Sequence, residues 1–235
     1  MQKEILQILS KDFLHNINML YFIEQYSISL SKTSGDSILL KGKSDREWIM
    51  LSSKDEKELL HLLNEVPEKN KCFAFLENWM VPFVARNKKV KWKLSTNQYY
   101  LPDNIILPSK KHITKSLCMG DAKFIVEHSD YGEYLSVKYV AERIKRGPSS
   151  GIYIDNKLVA WIHTHDDLAI GSLHVLPEYR KKGYGESLLI DMITKIRAIQ
   201  KVPFGYIEPQ NKKSINLITK LGFKKDKTVV WLELE

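Results

Sequence analysis

Cysteine is nearly missing from this chain: Cys72 and Cys118 are the only two in 235 residues. They lie far apart, with no CxxC pair and no Cys/His cluster, so neither a disulfide framework nor a zinc site is indicated and no bound metal is expected. Long apolar runs are missing as well. No stretch approaches the roughly 18 consecutive apolar residues that a membrane span needs. The first residues carry Lys3, Glu4, Lys11 and Asp12 among apolar positions, the pattern of an amphipathic helix and not of a signal peptide. A cytoplasmic protein without a membrane partner is expected. No low-complexity segment or internal repeat stands out. The phosphate loop GxxxxGK[ST] and the dinucleotide fingerprint GxGxxG are both absent. There is also no RGG tract, RNA motif or basic helix. A net charge of +8 is thus the sole feature in favour of a nucleic-acid partner, and such a partner is disfavoured. The excess is spread, about +3 before residue 111 and +5 after it, as a lysine-rich composition alone would give.

What is present suits a globular protein of two small domains or one large one, with 43% hydrophobic and 27% charged residues. Ile5, Leu6, Leu9, Phe13, Leu14, Ile17 and Leu20 form one helical stripe over residues 3–23. Residues 27–43 read as a hairpin around Gly35-Asp36, residues 55–65 as a helix, 72–76 as a buried strand, 77–86 as a short helix and 92–101 as a strand. Breakers around Pro102 and Pro108 place a domain boundary there, giving residues 1–110 and 111–235. The second part continues with helices over 121–128 and 133–146, strands over 151–154, 158–164 and 169–175, a long helix over 185–199, a strand over 204–208, a helix over 211–221 and a strand over 229–234. This is an α/β pattern whose strands mostly neighbour one another in sequence.

The segment that carries chemistry runs from Leu173 to Gly185. A strand ends at Pro177, a basic turn with Arg180, Lys181, Lys182, Gly183 and Tyr184 follows, and a long helix begins at Gly185. A helix start of this kind leaves backbone N–H groups unpaired with the positive end of the dipole behind them. Gly183 and Gly185 let a ligand approach the backbone closely. Together these make a pyrophosphate cradle. The plainer reading is a basic turn with a capping glycine.

Val175-x-Pro177-Glu178-Tyr179-Arg180-x-x-Gly183-x-Gly185, followed by Asn211 and Leu221-Gly222-Phe223, resembles the GNAT superfamily of acyl-CoA-dependent N-acyltransferases. The Leu-Pro-Glu-Tyr-Arg wording and the extra N-terminal region are similar to its glycine N-acyltransferase-like branch. The resemblance covers residues from about 112 to 235. It implies a mixed, mostly antiparallel twisted sheet flanked by helices, of the α/β (α+β) class, preceded by a smaller α/β domain that is by analogy a degenerate GNAT-like half. It implies acetyl-CoA or another acyl-CoA as donor, and a small amine, amino acid or peptide amine as acceptor. The main chain at His174 and Val175 would pair with the pantetheine arm, Arg180 to Gly185 would hold the pyrophosphate, and Asn211 would contact the cofactor beyond the thioester. A bound amine would attack the thioester directly, helped by positioning and by a backbone N–H on the thioester oxygen.

Two family positions differ. Where many members carry a tyrosine as acid for the departing thiolate, this chain has Ile218; Tyr206, Tyr184 or water would substitute, or the thiolate would leave unassisted. Where the branch has a glutamate base, this chain has Ala169, with Asp167 two residues earlier. Asp167 would share that side if the strand extends so far; otherwise Asp166-Asp167 is a hairpin turn. The other base candidates are His174, against a packed strand histidine, and Glu208, against an exposed strand end, with His163 and His165 behind them. The alternative to an enzyme is a GNAT-shaped module that binds CoA or acyl-CoA without catalysis.

Overall fold

Residues 11–16 divide the expected N-terminal helix in two. In the computed structural model, which describes residues 2–130, 132 and 135–235, α1 spans Gln2–Ser10 and α2 spans Ile17–Gln25. The cause is Asn16, a buried side chain whose amide donates to the Leu9 carbonyl at 3.0 Å and whose oxygen accepts from Ser52 Oγ at 2.6 Å. A side chain that binds main-chain groups offers the backbone an alternative to helix.

By compactness the chain falls into Met1–Gln98 with Asp226–Glu235, and Tyr99–Lys225. The 101–110 stretch thus groups with the second unit and the last strand with the first, where the sequence placed its break at 110. The first unit holds β1 (Ile28–Ser34), β2 (Ser37–Lys43), β3 (Glu47–Ser52), α3 (Glu56–Leu63), β4 (Cys72–Glu77), α4 (Val81–Val84), β5 (Val90–Tyr100, whose last two residues group with the second unit) and most of β10 (Lys224–Leu234). Strands β1 to β3 form an antiparallel meander, β3 and β4 pair in parallel across α3, and β10 pairs antiparallel with β4. Strand β3 had no sequence signal because Trp48, Ile49, Met50 and Leu51 are all buried, and a strand covered on both faces shows no alternation.

The second unit holds α5 (Asp121–His128), α6 (Val137–Arg146), β6 (Ser149–Ile154), β7 (Lys157–Thr164), β8 (Ile170–Val175), α7 (Tyr184–Ala198), β9 (Phe204–Ile207) and α8 (Lys212–Lys220). The expected start of α6 at Glu133, with Tyr134, lies outside the described residues; Ser136 caps the helix through the Tyr139 N–H. Its strands lie in the order β9-β8-β7-β6. The β6–β7 hairpin turns at Asp155 and Asn156, both with positive φ (49° and 62°), as a two-residue turn of matching twist requires. Ala160 and Ile162 of β7 join a core with Leu188, Leu189, Met192 and Ile193 of α7, while Leu158 and Trp161 join a second with Ala122, Ile125, Val140 and Ile144 of α5 and α6.

The two units repeat one order of elements. Two helices, a three-stranded meander, a crossover helix and a parallel strand appear as α1-α2-β1-β2-β3-α3-β4 and again as α5-α6-β6-β7-β8-α7-β9. The sequence shows no matching repeat, because the recurrence lies in the order of elements and not in residues. The architecture is otherwise the mixed, mostly antiparallel sheet with flanking helices that the resemblance implied.

Candidate functional site

Strand β8 is bulged. Ala160 and Trp161 of β7 face Val175 and His174, but His163 and Thr164 face Gly171 and Ile170, so β8 carries one residue more than its partner. Ser172 absorbs it with φ 52°, a conformation that costs a non-glycine residue about 1 kcal/mol. Bulges re-aim main-chain groups and gather next to active sites. On its other side, β8 aligns with β9 at one pair, Ile170 with Gly205. A β carbon on Gly205 would fall 2.6 Å from the Ile170 carbonyl oxygen, so this approach of the two backbones demands glycine. Beyond that pair the ladder does not continue along β8 toward Val175.

The basic turn follows. Pro177–Tyr179 form one 3₁₀ turn, Arg180 is extended, and Lys181 and Gly183 have φ of 63° and 83°. Left-handed residues two apart turn intervening N–H groups to one side, the geometry of an anion nest. Gly183 sits at the N-cap of α7, and among the described residues no side chain caps the helix there. At Gly185 a β carbon would meet nothing closer than 3.7 Å, so neither packing nor a positive φ accounts for the glycine. The loop is held from outside: Arg180 Nε donates to the Val175 carbonyl at 2.9 Å, Lys182 Nζ lies 5.2 Å from the Tyr179 ring centre, and His112 Nε2 is 2.8 Å from the Lys182 carbonyl with its ring edge-on to Tyr184. Lys181 and Lys182 are exposed. A cavity of about 420 Å³ lies on the α5 side of this turn, bordered by Asp121, Phe124, Tyr153, Leu176, Glu178 and Tyr179.

Of the four acid–base candidates, two come together. Asp167 lies in the β7–β8 turn, since β8 begins at Ile170, yet its side chain is 0% exposed. Its Oδ1 accepts from the Ala169 N–H at 3.1 Å and its Oδ2 from the Tyr206 hydroxyl at 2.5 Å. Burial, with the Asp166 charge beside it, pushes its carboxyl up to about 7 against the pull of Tyr206. His174 is elsewhere. It is stacked on Trp161 with ring centres 4.6 Å apart, and its Nδ1 lies 3.5 Å from Asp130 Oδ2. Burial lowers its basicity in spite of that carboxylate. Glu208 accepts from Gln210 Nε2 at 2.5 Å. Asn211 caps α8, its side-chain oxygen accepting from the Ser214 N–H at 3.1 Å.

Sequence reasoning gave little weight to His163 and His165 and none to Arg143. His163 is fully buried on β7; its Nδ1 is 3.1 Å from the Thr164 carbonyl and its Nε2 has no partner among the described residues. Burial first, and then the nearby Arg143, bring it down to about 4. His165 Nδ1 lies 3.4 Å from the Tyr139 hydroxyl of α6. Arg143, 0% exposed, donates to the Thr164 carbonyl at 3.4 Å. The signal for these residues was the burial of α6 against β7, which a single sequence does not print.

This architecture is the GNAT fold. Residues 149–232 match the sequence model of the family described as FR47-like protein. Among solved structures, a Drosophila protein superposes with a TM-score of 0.82 at 15% identity, over 99% of this chain and 95% of its own. A GCN5-related N-acetyltransferase-like protein from Streptococcus suis gives 0.61 at 13% identity, over 100% and 98%. A GCN5-related N-acetyltransferase from Kribbella flavida gives 0.61 at 10% identity, over 94% of each. No curated protein matches the sequence. Among the described residues no helix is long and apolar enough to cross a membrane, and no cluster of three or more metal-binding side chains occurs.

Proposed function

We propose that this chain is an acyl-CoA-dependent N-acyltransferase, in its simplest form an N-acetyltransferase, acting on a small amine, an amino acid or a peptide amine. One conjunction carries the reading: within the second unit a bulged strand parts from its parallel neighbour and leads into a basic turn whose helix start no described side chain caps. Strand main-chain groups facing a gap suit an extended ligand with amides of its own, which is what the pantetheine arm offers to His174 and Val175. The nest at Lys181 and Gly183, with Arg180 and Lys182, suits the pyrophosphate, and Gly185 leaves room for it. The neighbours named as GCN5-related N-acetyltransferases support an acetyl donor. The amine would attack the thioester carbon directly, so that the work of the chain is positioning and polarisation. Whether it belongs with the glycine N-acyltransferase-like branch turns on the acceptor.

The first unit, in this reading, is a duplicate that no longer takes a phosphate. At its equivalent helix start, Asp55 accepts from the Glu58 N–H at 2.9 Å, and Glu56 and Glu58 occupy the first turn of α3. A carboxylate cap uses the orphan N–H groups and repels an anion.

Isothermal titration with CoA and acetyl-CoA is the test, with thiol release followed across a panel of amines. We expect one equivalent bound per chain and turnover with at least one amine; no binding at sub-millimolar concentration would overturn the reading. One observation favours a second reading, a CoA-binding module without catalysis: Ile218 is 7% exposed within the apolar core and supplies no acid at the family's position. Binding without turnover on any amine would select it.

A further inference from the structure

We propose that Tyr206 and Asp167 act as one proton relay, in which a single phenol serves both the attacking amine and the departing thiolate. This rests on the acyltransferase reading above. Tyr206 directly follows Gly205, the residue at which β9 pairs with β8, and its phenol reaches Asp167 in the β7–β8 turn. Asp167 enters from the other side, out of the β7–β8 turn. The carboxylate is sealed from solvent and fixed at both oxygens, by the Ala169 N–H and by the Tyr206 hydroxyl. Tyr206 is partly exposed. The phenol is therefore the group through which this carboxylate would reach a ligand.

The hydroxyl proton points at Asp167 Oδ2, and a phenol oxygen that donates in one direction keeps the capacity to accept in another. In the step, the amine nitrogen's electron pair forms the new C–N bond at the thioester carbon. The C–S bond breaks and its electron pair stays on sulfur. The surplus ammonium proton passes to the phenol oxygen as the phenol proton passes to Asp167. The reverse shift then delivers a proton to the thiolate, giving free CoA thiol and the amide, with Tyr206 and Asp167 restored. No second acid is needed, which fits the buried isoleucine on α8.

Tyr206→Phe, Asp167→Asn and the double variant, compared with wild type for CoA affinity by calorimetry and for single-turnover thiol release, test this. Each single variant should keep CoA affinity within about twofold and lose at least tenfold in rate. The double variant should be no slower than the slower single one, because groups acting as a unit are not additive. Thermal melts check that each variant is folded. Turnover by wild type with Tyr206→Phe retaining more than half the rate would overturn the relay alone. So would a double variant whose loss is the product of the two single losses. A wild type that binds CoA yet turns over no amine would overturn both the relay and the enzyme reading.

Discussion

The ring of His165 stands where a side chain at Gly171 would be: a β carbon built on Gly171 falls 2.0 Å from His165 Nε2. The residue just ahead of the bulge in β8 is thus glycine so that an imidazole from the β7–β8 turn can lie across the strand. Gly171→Ala should displace that ring from Tyr139 and destabilise the protein by about 1–3 kcal/mol, as overpacking does. His165→Ala in the same chain should recover much of the loss. Chemical denaturation of wild type and the two variants checks this, and a double variant no more stable than Gly171→Ala would show that the ring is not the obstacle.

At Gly185 the case is different, because the protein itself leaves room for a β carbon there. Gly185→Leu should leave the melting temperature within a few degrees, since leucine is a good helix former and glycine a poor one. CoA affinity should fall at least tenfold through obstruction of the helix start. Gly183→Val is the contrasting variant. With φ at 83° it should lose stability by about 1–2 kcal/mol as well as affinity. Calorimetry and melts on both separate a ligand-contact glycine from a conformational one; unchanged affinity in Gly185→Leu would remove the cradle.

Much of this was legible in the sequence, for reasons that can be named. The turn at Asp155-Asn156, the end of α6 at Gly147 and the long amphipathic α7 announce themselves because local chemistry decides them. The basic turn from Arg180 to Gly185 was legible as the break between a strand and a long helix, because glycine and clustered charge suit neither. Strand β10 was read short, from 229 on, because Lys224, Lys225, Asp226 and Lys227 look solvated; in the fold Lys227 Nζ donates to the His15 carbonyl and Asp226 accepts from Gln98. Those partners lie more than a hundred residues away in sequence. Asp167 illustrates the same limit. Its place in a turn was legible, but its burial against Tyr206 depends on the contact of β8 with β9, which no local pattern encodes.

Asp191 links three segments of the second unit, and its charge should show in acid. It accepts from Lys110 at 2.5 Å, Lys195 at 2.9 Å and Ser150 at 2.9 Å. Burial opposes ionisation, but these donors prevail and bring the carboxyl down to about 2. A carboxyl depressed on folding stabilises above its unfolded value near 3.8, and that contribution is lost as pH falls toward 2. Asp191→Asn should therefore cost about 1–2 kcal/mol at pH 7 and progressively less between pH 4 and 2. Urea titrations of both proteins across that range check it; a gap that stays constant with pH would assign the loss to packing.

Asp167 should show the opposite sign. Its carboxyl is raised on folding to about 7 by burial and by Asp166. The folded state therefore holds a proton that the unfolded chain gives up near pH 4, and stability falls as pH rises between the two values. An asparagine in its place would keep an acceptor for Tyr206 without the buried charge, so Asp167→Asn should be more stable than wild type at pH 8, by at most about 4 kcal/mol on the scale of roughly 1.4 kcal/mol per pK unit. The difference should shrink toward zero near pH 4. A gain in stability coupled to a loss of turnover would mark a carboxylate kept buried for chemistry and not for the fold. If Asp167→Asn is less stable than wild type at both pH values, the side chain is a structural partner of Tyr206 and the Ala169 amide, and its charge is not what the turn was built to hold.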